Sequence, residues 1–135
     1  MAIQYSAAVR NAELDALETA VGTGAIMKIR SGSAPANVAT ADSGTVLATI
    51  SLGSDWMAAA SGGSKSKSGT WQDASADATG TAAHFRIYAS DGTTAHIQGT
   101  VTVTGGGGDL TLDSVSITAA QVVTISSFTI TAGNA

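Results

Sequence analysis

Residues 45–52 read Thr45-Val46-Leu47-Ala48-Thr49-Ile50-Ser51-Leu52, and residues 95–103 read Ala95-His96-Ile97-Gln98-Gly99-Thr100-Val101-Thr102-Val103. Apolar side chains fall on every second position, with Thr, Ser, His and Gln between them. Successive side chains of a strand point to opposite faces, so this two-residue period is the signature of a half-buried strand. It dominates the chain after the first two dozen residues and dictates a mainly β fold. The expected architecture is an antiparallel β-sandwich or jelly roll of about seven or eight strands with one N-terminal α-helix.

The helix is expected over residues 6–21. Ser6 suits the N-cap, where its hydroxyl accepts a free amide of the first turn, and Gly22 suits the stop. Arg10, Leu14, Leu17 and Val21 recur at helical spacing, with Val9 and Ala20 beside them and Asn11, Asp15 and Glu18 opposite. The stripe is too narrow to form a core alone. It must lie on a partner or serve as a lid over one end of the sheet. Residues 1–24 therefore read as a helical arm and residues 25–135 as the β-sandwich.

Strands are expected at residues 25–31, 45–52, 56–60, 65–72, 83–89, 95–103 and from 110 onward, with a last strand over 122–131. The apolar parity shifts near Asp113-Ser114 and again at Ser126-Ser127, as a bulge or tight turn would produce. For the hairpin around Asp91-Gly92, a three-residue loop pairs Ile87 with Ala95 and Phe85 with Ile97. That register keeps one core face continuous and sets Arg86 opposite His96 and His84 opposite Gln98 on the outer face.

Only 12% of the residues are charged, against about 25% in an ordinary soluble domain. Aromatic residues are few, with two each of Trp, Tyr and Phe. A small domain with small core side chains buries little apolar area, at roughly 25 cal/mol per Å². Support from neighbouring copies or a larger scaffold is therefore expected. The net charge of −4 argues against nucleic acid, which needs a basic surface; Lys65 and Lys67 read as a solvated loop. No cysteine is present, which removes disulfides and thiolate chemistry. No signal-peptide pattern and no long apolar run is visible, so a soluble chain made in the cytoplasm is expected.

No residue set carries a catalytic constellation. His84 and His96 are the only histidines, and a zinc site needs three or four ligands. No Gly-x-Ser-x-Gly elbow accompanies the serines. Asp73, Asp77, Asp91, Asp109 and Asp113 each sit beside Gly, Ser or Ala, where Asp serves turns. Gly62-Gly63-Ser64-Lys65-Ser66 and the run of residues 105–108 lack a phosphate-loop core and read as flexible loops. No enzyme, cofactor or metal is expected. Trp56 and Trp71 read as core residues, or as an interface anchor or sugar platform if exposed.

The stretch Ile3-Gln4-Tyr5-Ser6-Ala7-Ala8-Val9-Arg10-Asn11-Ala12-Glu13-Leu14-Asp15-Ala16-Leu17-Glu18 resembles the N-terminus of a group of small tailed-bacteriophage proteins. Ser54-Asp55-Trp56-Met57, Gly69-Thr70-Trp71-Gln72-Asp73, Phe85-Arg86-Ile87-Tyr88 and Val122-Val123-Thr124-Ile125 extend the likeness over nearly the whole chain. The resemblance implies a virion structural protein, and within that class a capsid cement (decoration) protein on the capsid surface, synthesised in the bacterial host cytoplasm. The implied partners are the major capsid protein and further copies of the chain. The resemblance carries no catalytic residues. The candidate interface is Val9, Arg10, Leu14, Leu17, Val21, Trp56 and Trp71. The alternative is a minor tail or fibre component that contacts host-surface glycan.

Overall fold

Ser6 opens the helix as expected. Its Oγ accepts from the Val9 amide at 3.3 Å, and α1 (Ala7–Val21) ends at Gly22, whose φ is +93° and whose amide bonds Glu18 O at 2.9 Å. The computed structural model describes residues 3–133. After α1 come ten short strands: β1 (Ile26–Ser31), β2 (Val46–Ser51), β3 (Ser64–Ser66), β4 (Trp71–Asp73), β5 (Gly80–Tyr88), β6 (Ala95–Val103), β7 (Leu110–Leu112), β8 (Ser116–Ile117), β9 (Val123–Ile125) and β10 (Thr129–Thr131). The fold is mainly β with one helix.

The large sheet is mixed and runs β2-β1-β5-β6-β7, with β8 paired to the first residues of β5. All its pairs are antiparallel except β6 with β7. A parallel pair ordinarily needs a crossover of about a dozen residues, yet only residues 104–109 join these two strands. The glycine run makes that possible. A Cβ on Gly106 or Gly108 would stand 2.8 Å from Thr102 Oγ1, and the Gly108 amide donates to that oxygen at 3.0 Å. The run is a chain folded tightly back on Thr102, and not the flexible loop its composition suggested.

Two expected strands are each broken in two. Residues 65–72 divide into β3 and β4, and residues 122–131 divide into β9 and β10 at Ser126-Ser127. β3 pairs with β10 and β4 with β9, so these segments form one antiparallel ribbon interrupted in the middle. Gly69, at φ +72°, turns one chain at the break, and Trp71 Nε1 donates back to Ser68 O at 3.1 Å. The core lies between this ribbon and one face of the large sheet. Trp71 stands 6.2 Å from Trp56 and 5.5 Å from Phe128, which meets Phe85 edge-on at 5.5 Å (ring centroids). Met27, Ile29, Ala48, Ile50 and Ile87 complete the centre, all with 0% exposure.

Leu47 departs from the alternation. The register shifts between Ile29 and Arg30, where the partners jump from Ala48 to Val46 and leave Leu47 as the extra residue of a bulge. Leu47 is as buried as Ala48, and its Cδ2 would be 2.9 Å from a Cβ on Gly80. The hairpin register also differs from expectation. Ile87 pairs with Ile97, Arg86 with Gln98, and His84 with Thr100. Asp91 lengthens the turn by accepting the Thr93 and Thr94 amides at 2.9 Å each, and a bulge leaves His96 unpaired between Ala95 and Ile97. The core face stays continuous because the register moved by two residues and kept its parity.

Candidate functional site

The helix meets the β-structure through polar residues. Asn11, Leu14, Asp15 and Glu18 are spaced three and four apart and so share one face. Asn11 Oδ1 accepts the Gly63 amide at 2.8 Å, Asp15 Oδ1 the Ala60 amide at 3.0 Å, and Glu18 Oε1 the Met57 amide at 3.3 Å. Lys65 Nζ, on the buried side of β3, reaches Asp15 at 2.7 Å and Glu18 at 2.9 Å. The expectation that Asn11, Asp15 and Glu18 lie opposite the docked stripe is corrected: they make the dock. Lys65 is likewise no solvated loop residue, with only 3% of its side chain exposed. Burial disfavours its charged form, but the two carboxylates outweigh that and raise its pKa. The bond from Lys65, then that from the Ala60 amide, lowers the Asp15 pKa.

A second polar layer covers the other face of the large sheet. Lys28 and Arg30 on β1 alternate with core residues, and β5 sets Arg86 and His84 directly opposite them. Arg30, Arg86 and His84 are covered by the strap of residues 32–44. Asp42 on the strap bonds Arg30 Nη2 with one oxygen and Arg86 Nη1 with the other, both at 2.8 Å, and accepts the Tyr88 hydroxyl at 2.8 Å. Arg86 also donates to Gln98 Oε1 and to Asn37 O, Gln98 Nε2 donates to Pro35 O, and His84 Nδ1 lies 2.7 Å from Gly32 O. Partial burial pushes the Asp42 carboxyl up, but Tyr88, Arg30 and Arg86 together hold it below its ordinary value. Burial, then the bond to Asp42, raises the Tyr88 hydroxyl.

His84 and Arg86 are therefore buried under the strap, and not on an outer face beside His96 as the expected register had it. A signal for the strap was present in the sequence. Lys28, Arg30 and Arg86 at alternating strand positions place like charges side by side on one sheet face, which favours a counter-charge.

The expected interface residues scatter. Leu14 and Val21 are buried within the chain, Leu17 packs against the core, and Arg10 lies half-buried over Gly63. Val9 is exposed, together with Ile3 and Tyr5 ahead of the helix. Trp56 and Trp71 have 0% exposure, and Trp56 Nε1 donates to Gly22 O at 3.1 Å. Both tryptophans are core residues, so neither ring is available as a surface anchor or platform.

The surface that remains is predominantly acidic. Of the six Lys and Arg residues, Arg30, Lys65 and Arg86 are buried and Arg10, Lys28 and Lys67 are half-buried. Beyond those already described, Lys28 donates to Gly92 O and lies over the Tyr88 ring, and Lys67 donates to Gly69 O and lies over Trp71. Of the ten acids, Glu13, Asp15, Asp42, Asp55, Asp77, Asp91, Asp109 and Asp113 are exposed. Between them lie Ser, Thr, Ala and Gly. Such a surface disfavours phosphates.

No protein-family model, curated protein or solved structure matches the chain. Among the described residues, no helix is long and apolar enough to cross a membrane, and no three His, Cys, Asp or Glu stand together in a metal-binding group.

Proposed function

We propose that the chain is a bacteriophage virion structural protein: a capsid cement or decoration protein that binds the outside of the major capsid shell and stabilises it. The sequence resemblance at residues 3–18 points to the class. The observation that carries the reading within that class is the acidic surface, where no Lys or Arg is fully exposed and six exposed carboxylates outside the Asp15 and Asp42 ion pairs stand among small polar residues. A cover for a protein shell works through shape, backbone hydrogen bonds and complementary charge on a basic partner surface, and many weak contacts add through avidity. We read the sheet folded over the interrupted ribbon as a small jelly-roll-like sandwich, the architecture the resemblance implies.

The alternative of a tail or fibre component that holds glycan would use Trp56 or Trp71 at the surface. Both are buried, so no observation favours it. Gel quantitation of purified virions tests the proposal. Copy numbers in the hundreds per particle are expected, and only a few copies would overturn it.

A further inference from the structure

Asp73, Asp77 and Asp109 close parts of the large sheet's outer edges. On β2 the Thr49 amide donates to Asp73 Oδ2 at 2.9 Å, and Leu47 O accepts the Asp77 amide at 2.8 Å. On β6 the Thr100 amide donates to Asp109 Oδ2 at 2.8 Å. One stretch is left open. β6 pairs with β7 only over residues 101–103, so residues 96–98 have no ladder partner on that side among the described residues. Strand amides alternate between the two edges, so Gln98 turns its amide and carbonyl outward as Thr100 does. The bulge leaves His96 without a partner on β5 as well.

Beside this edge runs an open groove of about 430 Å³, lined in part by Leu17, Phe85, Ile97, Phe128 and Ile130. Ile97 is half-buried there. An open edge next to an apolar groove accepts an added strand, whose backbone completes the ladder and whose alternate side chains enter the groove. Edges that stay solitary commonly carry Lys or Pro. Between residues 92 and 108 the chain has no Lys, Arg, Asp, Glu or Pro. Two copies, each of charge −4, therefore meet at this edge without like charges set directly opposite one another.

We propose that residues 96–98 of one copy pair antiparallel with residues 96–98 of a second copy, about a two-fold axis through Ile97. One surface then serves both copies, as a two-fold contact requires. Gln98 exchanges backbone hydrogen bonds with His96 of the second copy, and the two Ile97 side chains meet on the groove face. That register keeps the apolar parity of both strands. An axis through Gln98 would instead set His96 against Thr100, whose amide Asp109 already holds. The contact buries roughly 700 Å² counting both copies, about half of a standard interface, so the pair is weak in solution and gains strength where many copies are held close. The pairing concerns contact between copies and does not rest on what the assembly covers.

The chain has no cysteine, so Ile97→Cys alone reports the axis. Mild oxidation at millimolar concentration is expected to give a disulfide-linked dimer. Val103→Cys, exposed on the same strand where β7 already pairs, is expected to give none. In the unsubstituted chain, hydrogen exchange at the Gln98 amide is expected to slow about fivefold or more between micromolar and millimolar concentration, with Thr102 unchanged. Absence of linkage through residue 97, equal linkage through residue 103, or exchange at Gln98 that ignores concentration overturns the proposal. All of these are read in solution, so a chain that fails them yet is abundant on virions overturns the edge pairing and leaves the shell reading in place.

Discussion

Arg86 Nη1 and Asp42 Oδ1 stand 2.8 Å apart although 44 positions separate the residues. The same carboxylate binds Arg30 through its other oxygen, and 8% and 2% of the Arg30 and Arg86 side chains are exposed. One acid thus fastens the strap to the sheet and is shared by two buried cations. Removal of one partner from a buried pair costs about 3–5 kcal/mol. The Asp42 side chain is 35% exposed, so solvent screens part of the loss. Asp42→Asn is expected to lower unfolding stability by about 2 kcal/mol in urea titrations and to speed proteolysis within residues 32–44.

The same contact sets a pH dependence. The folded-state pKa of Asp42 is depressed, so its contribution is fully present above the ordinary value of 3.8 and is lost as pH falls through the depressed one. The stability difference between the parent chain and Asp42→Asn is expected to be constant above about pH 5 and to shrink below the ordinary carboxylate range. Urea midpoints measured across that range check it; a difference that grows on acidification would contradict the assigned contacts.

Leu14 and Val9 share a helix and should respond oppositely. Leu14 is 3% exposed and Val9 45%. Leu14→Ala is expected to cost about 2–4 kcal/mol, as buried leucines do. Val9→Asp is expected to leave the urea midpoint unchanged within about 0.5 kcal/mol.

Lys65 holds the helix by charge. Lys65→Met keeps the buried stem but leaves the Asp15 and Glu18 carboxylates without their cation. Hydrogen exchange is expected to quicken at the α1 amides well before those of β1 and β5. The raised pKa of Lys65 means that its contribution persists below the ordinary value of 10.5 and fades as pH rises through the raised one.

Gly44 closes the strap at φ +73°, and a Cβ there would meet Ser31 O at 1.8 Å. Gly44→Ala combines left-handed strain with a backbone clash, so it is expected to destabilise more than Asp42→Asn does. Gly53, at φ +88° with no atom within 4 Å of a Cβ, isolates the strain alone. Gly53→Ala is expected to cost about 1 kcal/mol.

The sequence by itself determined the local structure. Ser6 and Gly22 bound the helix because capping is satisfied within one turn. The period of two identified β1, β2, β5 and β6, and the parity shifts at Asp113-Ser114 and Ser126-Ser127 marked real breaks between elements. The tertiary structure decided which strands meet across those breaks: β9 with β4, β10 with β3, and β7 parallel to β6. It also decided which polar residues are internal. Lys65, Arg30, Arg86 and His84 look solvent-facing because alternation assigns a face without saying whether anything covers it. The burial of Lys65, Arg30 and Arg86 depends on Asp42, Asp15 and Glu18, acids 12 to 50 residues away, and that of His84 on the Gly32 carbonyl. Local pattern cannot encode a charge that only folding brings near, and here those distant pairs take three of the six Lys and Arg side chains out of the surface.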